Sequence, residues 1–336
     1  MKRSWYLFAC LSFLFVLDVQ AQESDQTVTT IAWSPDGKTI ATGSVEKLVC
    51  LWDTAGKKLR TIDAHKKYLS KVAFALDGKV LISASSYISN ASEIFAWSVP
   101  DGKKLRAFPL GDNCSLTDMK ISRDGKSIAC LVRYWGQLDP RTPEKVLTFD
   151  IETGKQGISI SLEIGDYAHC LVFTLNDQQV IVSAEKGMLF YGLQDGKMTR
   201  ETRRPSPIAM DMSADQKCLA TILGGTLRLY KDGAGVKEVK FPYREMDGTE
   251  LQYTVGGESR SKKLEPWLMK VRFAPDGKSL AVKERELLIF LGEDGKKIGQ
   301  VFLGYEKYIN DFAFSPDGKK VALAIGKSFL LHEVPK

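Results

Sequence analysis

The chain has 336 residues, of which 44% are hydrophobic and 26% charged, with 47 Lys and Arg against 41 Asp and Glu, for a formal charge of +6. That composition excludes a disordered or collagen-like chain. The basic excess is mild and forms no dense Lys/Arg stripe, so no nucleic-acid partner is expected.

The first segment reads as a leader. Lys2 and Arg3 precede an apolar run from Trp5 to Leu17, too short to span a bilayer, and Val19-Gln20-Ala21 supplies small residues. The expectation is a secretory signal over 1–21, cleaved after Ala21, with a mature domain over 22–336 exported to a periplasmic or extracellular space. No later stretch is apolar enough for a transmembrane segment. Cys10 would leave with the leader. Cys50, Cys114, Cys130, Cys170 and Cys218 would remain, four of them in or beside apolar runs, where a small buried hydrophobe is the expected role.

Self-similarity dominates the rest. TIAWSPDGKTIATGS (30–44), KVAFALDGKVLISAS (71–85), DMKISRDGKSIACLV (118–132), KVRFAPDGKSLAVKE (270–284) and DFAFSPDGKKVALAI (311–325) each read as strand, polar Asp-Gly turn, strand. LVFTLNDQQVIVSAE (171–185) and MDMSADQKCLATI (210–222) are weaker copies. The turn aspartates fall at 36, 77, 124, 177, 215, 276 and 317. The shorter of these spacings suit a four-stranded propeller blade, with a period of about 40–45 residues. A third strand follows in each copy, as in LWDT (51–54) and AWSV (96–99), and most copies add a fourth, such as KKLRTI (57–62). The reading is an all-β, single seven-bladed propeller of four-stranded antiparallel blades. The last copy ends just after its third strand, leaving an edge at 327–334 open to strand donation.

Trp52-Asp53, the repeated SPDGK and the pair Ala64-His65 make the chain resemble the WD-repeat family. That resemblance implies a hydrogen-bonded staple of His, a strand hydroxyl, Trp and a turn Asp in each blade. Only the second copy has candidates, His65, Ser83 and Trp97, and no turn Asp that would complete its staple is evident.

No catalytic constellation, cofactor motif or metal-ligand spacing is found, and the turn carboxylates read as backbone caps. Two features remain. The insertions 86–93, 134–145 and 242–266 all fall in connections that emerge on one end of the ring, here called the top. Six residues before the inner-strand anchor stand Tyr68, Tyr167, Trp267 and Tyr308. Such aromatics are either blade caps or interface anchors. With Arg133, Tyr134, Trp135, Arg203 and Arg204 nearby, they form the candidate surface for a protein or peptide. The competing reading is an enzyme or small-ligand sensor, lactonase- or lyase-like, with a site at the channel mouth.

Overall fold

The computed structural model describes residues 27–85, 92–134, 143–163, 166–203, 206–231, 235–240, 251–255, 258–262, 268–304 and 307–335. The segment 1–26, with the leader reading and its cleavage point, lies outside them, as do Trp135, Arg204 and Trp267.

Seven antiparallel sheets form the ring; among the described residues six have four strands and the last has three. Within each sheet the strands run in chain order from the centre outward and are called a to d here. The innermost strands a are Val28–Trp33, Leu69–Ala75, Cys114–Ile121, Ala168–Thr174, Ala209–Met212, Leu268–Phe273 and Ile309–Phe314. Among the described residues the outermost strand of blade 7 is its strand c, Ser328–Glu333. One further hairpin pairs Leu251–Val255 with Glu258–Lys262, outside every blade. It falls in the connection between blades 5 and 6, which the sequence reads only as an insertion.

The Asp-Gly turns show why the repeat folds as it does. In blade 1 the Asp36 carboxylate accepts from the Ser34 hydroxyl at 2.6 Å and the Lys38 amide at 3.0 Å. Those bonds hold Asp36 below its ordinary pKa, the Ser34 hydroxyl contributing most. Gly37 then takes φ +72, which a side chain resists. The same Ser–Asp clasp recurs at Ser122–Asp124, Ser213–Asp215 and Ser315–Asp317, each 2.6 Å. Blade 5 has Gln216 at φ 59 where the strong copies have Gly, so its turn is made at the cost of left-handed backbone on a side-chain-bearing residue.

Both faces of strands b and c are covered by neighbouring blades, so Val80–Ser85 is buried throughout; Lys58–Asp63, an outermost strand, is exposed except at Ile62. Seven hydrophobic clusters fill the seven junctions between blades. The junction joining blades 7 and 1 brings Phe329 and Leu331 against Ile31 and Trp52, closing a ring whose ends are far apart in sequence. All five described cysteines are buried thiols outside any disulfide, and Cys130 and Cys170 are pushed well above the usual thiol range by burial. No helix among the described residues is long and apolar enough to cross a membrane.

Candidate functional site

Blade 2 contains the staple. The Ser83 hydroxyl accepts from the indole Nε1 of Trp97 at 2.7 Å and lies 2.7 Å from Nε2 of His65. On the other side of the ring, Nδ1 of His65 is 3.4 Å from Oε2 of Glu93, which also accepts from the Lys66 amide at 3.3 Å. Glu93 therefore fills the place of the missing turn Asp. It escaped the sequence reading because it ends an insertion, where offsets between copies are not preserved. Blade 1 keeps half of this device, Trp52 Nε1 donating to Thr42 Oγ1 at 2.8 Å. Asp53 takes a turn role, its carboxylate accepting from the amides of Ala55 and Lys57.

A second network runs around the innermost strands. Asp118 of blade 3 pairs with Lys71 of blade 2 and accepts from the Leu171 amide of blade 4 at 3.1 Å. Asp211 of blade 5 lies 3.4 Å from Lys120 of blade 3 and accepts from the Phe273 amide of blade 6 at 2.8 Å. Asp311 of blade 7 pairs with Lys270 of blade 6 at 2.5 Å and accepts from Thr30 Oγ1 and the Ile31 amide of blade 1 at 3.0 and 3.2 Å. Burial opposes ionisation of Asp311, but Lys270 and Arg272 overcome it and hold the carboxyl well below the usual range. Asp118 behaves alike, with Lys71 and Lys120 prevailing over burial. These aspartates were not singled out from the sequence, since only three of seven copies carry them and their partners sit in other blades. Among the described residues no three His, Cys, Asp or Glu side chains gather as metal ligands would.

At the top end, three of the aromatics are solvent-facing: Tyr68 is 37% exposed, Tyr167 51% and Tyr308 49%. Each stands where the chain enters strand a of blades 2, 4 and 7. The Arg133 guanidinium lies 5.2 Å from the Tyr167 ring centre, and Arg285 lies 5.2 Å from that of Tyr308. In both pairs the arginine stands at the end of strand b of the preceding blade or just after it, Arg133 within the strand and Arg285 one residue beyond, so the arrangement repeats across two junctions. Arg133 is itself fixed by a 2.5 Å bond to Oε1 of Glu144, whose Oε2 accepts from the Ala168 amide at 3.1 Å. Burial pushes the Glu144 carboxyl upward, with Arg133 opposing.

Arg203 is exposed at the upper end of its strand d. Tyr134 is part of the fold instead. It ends strand b of blade 3, its hydroxyl donates to the Leu110 carbonyl at 2.6 Å, and burial pushes its pKa up to about 12. Arg285 was missed by the sequence reading because it stands in a short connection rather than a long insertion.

Concentric four-stranded blades, an indole-to-hydroxyl staple and Asp-Gly clasps define a repeat propeller. Two segments, 14–53 and 56–87, match the family described as "WD domain, G-beta repeat". The chain is thus a seven-bladed β-propeller that carries WD-type repeats over these two segments. It is 40% identical over 63 residues to the "U5 small nuclear ribonucleoprotein 40 kDa protein" of Pongo abelii, covering 18% of each chain. It is 32% identical over 104 residues to the "WD repeat-containing protein 26 homolog" of Drosophila melanogaster, covering 29% of this chain and 16% of the relative. With the "SIR4-interacting protein SIF2" of Saccharomyces cerevisiae it shares 30% identity over 111 residues, 32% of this chain and 20% of the relative. The matches thus span a fifth or less of each relative's length.

These findings correct the export reading. The family match begins at residue 14, inside the segment read as a leader, and the relatives named above include a small nuclear ribonucleoprotein component. An apolar run followed by small residues is a compositional signal, and the outer strand of a repeat meets it equally well. The periplasmic or extracellular assignment is therefore withdrawn.

Proposed function

We propose that this propeller is a protein-interaction platform whose top face holds a protein or peptide partner. The observation that carries the reading is the repeated pair of exposed tyrosine and overlying arginine, Tyr167 with Arg133 and Tyr308 with Arg285. Tyr68 extends the set to a third blade. Tyrosine and arginine are the residue types that dominate binding hot spots, because they bury large areas while keeping polar tips. Cation–π contact also fixes each arginine before binding, which lowers the entropy lost on association. The names of the relatives, a ribonucleoprotein component and a SIR4-interacting protein, support partner binding as the common theme.

The test is site-specific photo-crosslinking in cell extract, with the crosslinker at Tyr167, at Tyr308 and at exposed Thr61 on an outer strand as control. The expected result is one protein adduct shared by the two top positions and missing at Thr61. With that partner purified, Tyr167→Ala and Tyr308→Ala should each weaken binding roughly 30-fold, the equivalent of about 2 kcal/mol. Identical adducts at all three positions, or unchanged affinity in both variants, would rule the top face out.

A further inference from the structure

The junction between blades 4 and 5 is built differently from the five others that have an outer strand d among the described residues. At five junctions the outer strand d, or the residue just after it, sends one apolar wedge inward: Ile62, Phe108, Ile160, Val239 and Val301. Strand d of blade 4, Met198–Arg203, has Thr202 at that register position. Its hydroxyl is turned to the backbone, accepting from the Met188 amide at 3.1 Å. The cluster at this junction is correspondingly small, and Phe190, Met212 and Tyr230 are only partly buried against it. A cavity of about 450 Å³ occupies the space. Its apolar walls are Phe190, Met212 and Tyr230, and the charged groups in its lining are Arg200 and Lys217, with no carboxylate among them. The Arg200 guanidinium stands 5.2 Å from the Phe190 ring centre. The neighbouring Asp215 is outside the lining, its carboxylate held by the Ser213 hydroxyl and the Lys217 amide.

We infer that this cleft is a binding site for a small amphipathic carboxylate, an apolar body seated between the two blades with its anionic end at Arg200 and Lys217. The volume falls in the range of pockets that enclose small organic ligands, and walls of aromatic and aliphatic side chains with few charged groups are what such pockets share. Where this gap faces the apolar side chains of its lining it forfeits packing between the blades, and the apolar body of a ligand restores it, while Thr, Gln, Arg and Lys side chains complete the lining. Arg200, with no carboxylate in the lining, favours an anion over a neutral molecule of the same shape, and Lys217 adds to this although the nearby Asp215 offsets part of its charge. The lining includes Leu175, Gln216 and Lys217 of the a–b turns and neither Tyr167 nor Tyr308, so this site stands apart from the proposed partner surface.

The test is isothermal titration of the full chain with decanoate and, separately, with decanol as the uncharged counterpart. Decanoate is expected to bind one per chain and at least ten-fold more tightly than decanol. Arg200→Ala with Lys217→Ala, both at the cleft's charged rim, should remove that preference and leave decanol binding unchanged. Thr202→Ile restores the wedge the other blades have; it should abolish binding of both probes and raise the thermal midpoint. Absence of decanoate binding to the unaltered chain would overturn the inference. So would decanoate affinity that survives Thr202→Ile in a folded protein, or a decanoate-over-decanol preference that survives loss of both cations.

Discussion

At the scale of single residues, the staple in blade 2 makes a definite statement about protonation. Trp97 can only donate to Ser83, so the Ser83 hydroxyl is free to donate to Nε2 of His65, which leaves the His65 proton on Nδ1 facing Glu93. The imidazole is neutral in this arrangement. Burial drives its pKa down to about 4 even though Glu93 pulls the other way. The unfolded chain takes up this proton near pH 6.5 and the folded chain does not until about pH 4, so stability is full above pH 6.5 and is lost as pH falls through that window. The whole shift corresponds to about 3 kcal/mol at 1.36 kcal/mol per unit. Urea titrations at pH 7.5 and 4.5 should show a large drop for the unaltered chain and a much smaller one for His65→Gln. Glu144, raised by burial, slopes the other way, and Asp118 and Asp311 titrate below this window, so the difference between the two chains isolates the histidine. An equal drop in both would show that His65 is already charged in the fold. Ser83 and Trp97 were legible because their strands keep fixed offsets from copy to copy, and His65 because the pair Ala64-His65 stands just before a first strand. Glu93 was not, because a variable connection precedes it.

Strands were the most legible level, since the Asp-Gly clasp and the alternation around it are local chemistry that needs no partner to be recognised. What locality hides is how an edge is covered. Strand c of blade 7, Ser328–Glu333, has no outer neighbour among the described residues. Its Val334 amide donates inward to Lys319, so by the alternation of an antiparallel ladder the amides of Phe329, Leu331 and Glu333 point outward. Alignment of the first two copies sets Val16–Ala21 where Lys57–Ile62 stands in blade 1, and the family match begins at residue 14. The expected outcome is that these three amides exchange slowly in the full chain and become fast when residues 1–21 are deleted. Hydrogen exchange read by mass spectrometry on both chains decides it. Equal protection in the two would mean that something other than the first 21 residues covers this edge.

For the ring as a whole, the contacts that matter were hidden from the sequence by distance. Asp311 meets Thr30 across 281 residues of chain and Lys270 across 41, and nothing in a copy-by-copy alignment pairs them. Yet this one carboxylate touches three consecutive blades: Lys270 and Arg272 in blade 6, its own strand in blade 7, and Thr30 and Ile31 in blade 1. It sits at the seam where no peptide bond between adjacent repeats joins the blades, reinforced by the Val28 amide on the Gly326 carbonyl at 2.8 Å. Removing one partner of a buried ion pair costs about 3–5 kcal/mol, because the remaining charge is left without compensation. The Lys270 side chain is still 27% exposed, and that residual hydration argues for the lower end, about 3 kcal/mol, for Asp311→Ala. Asp311→Asn keeps an acceptor for Thr30 and Ile31 while losing the charge, so it should cost less. Pairing Asp311→Ala with Lys270→Met removes the stranded cation and should recover part of the loss, giving a non-additive double-mutant cycle in guanidinium denaturation. If instead the seam is held by the apolar cluster of Phe329, Leu331, Ile31 and Trp52 alone, Asp311→Ala and Asp311→Asn will cost the same small amount and Lys270→Met will add to either without coupling.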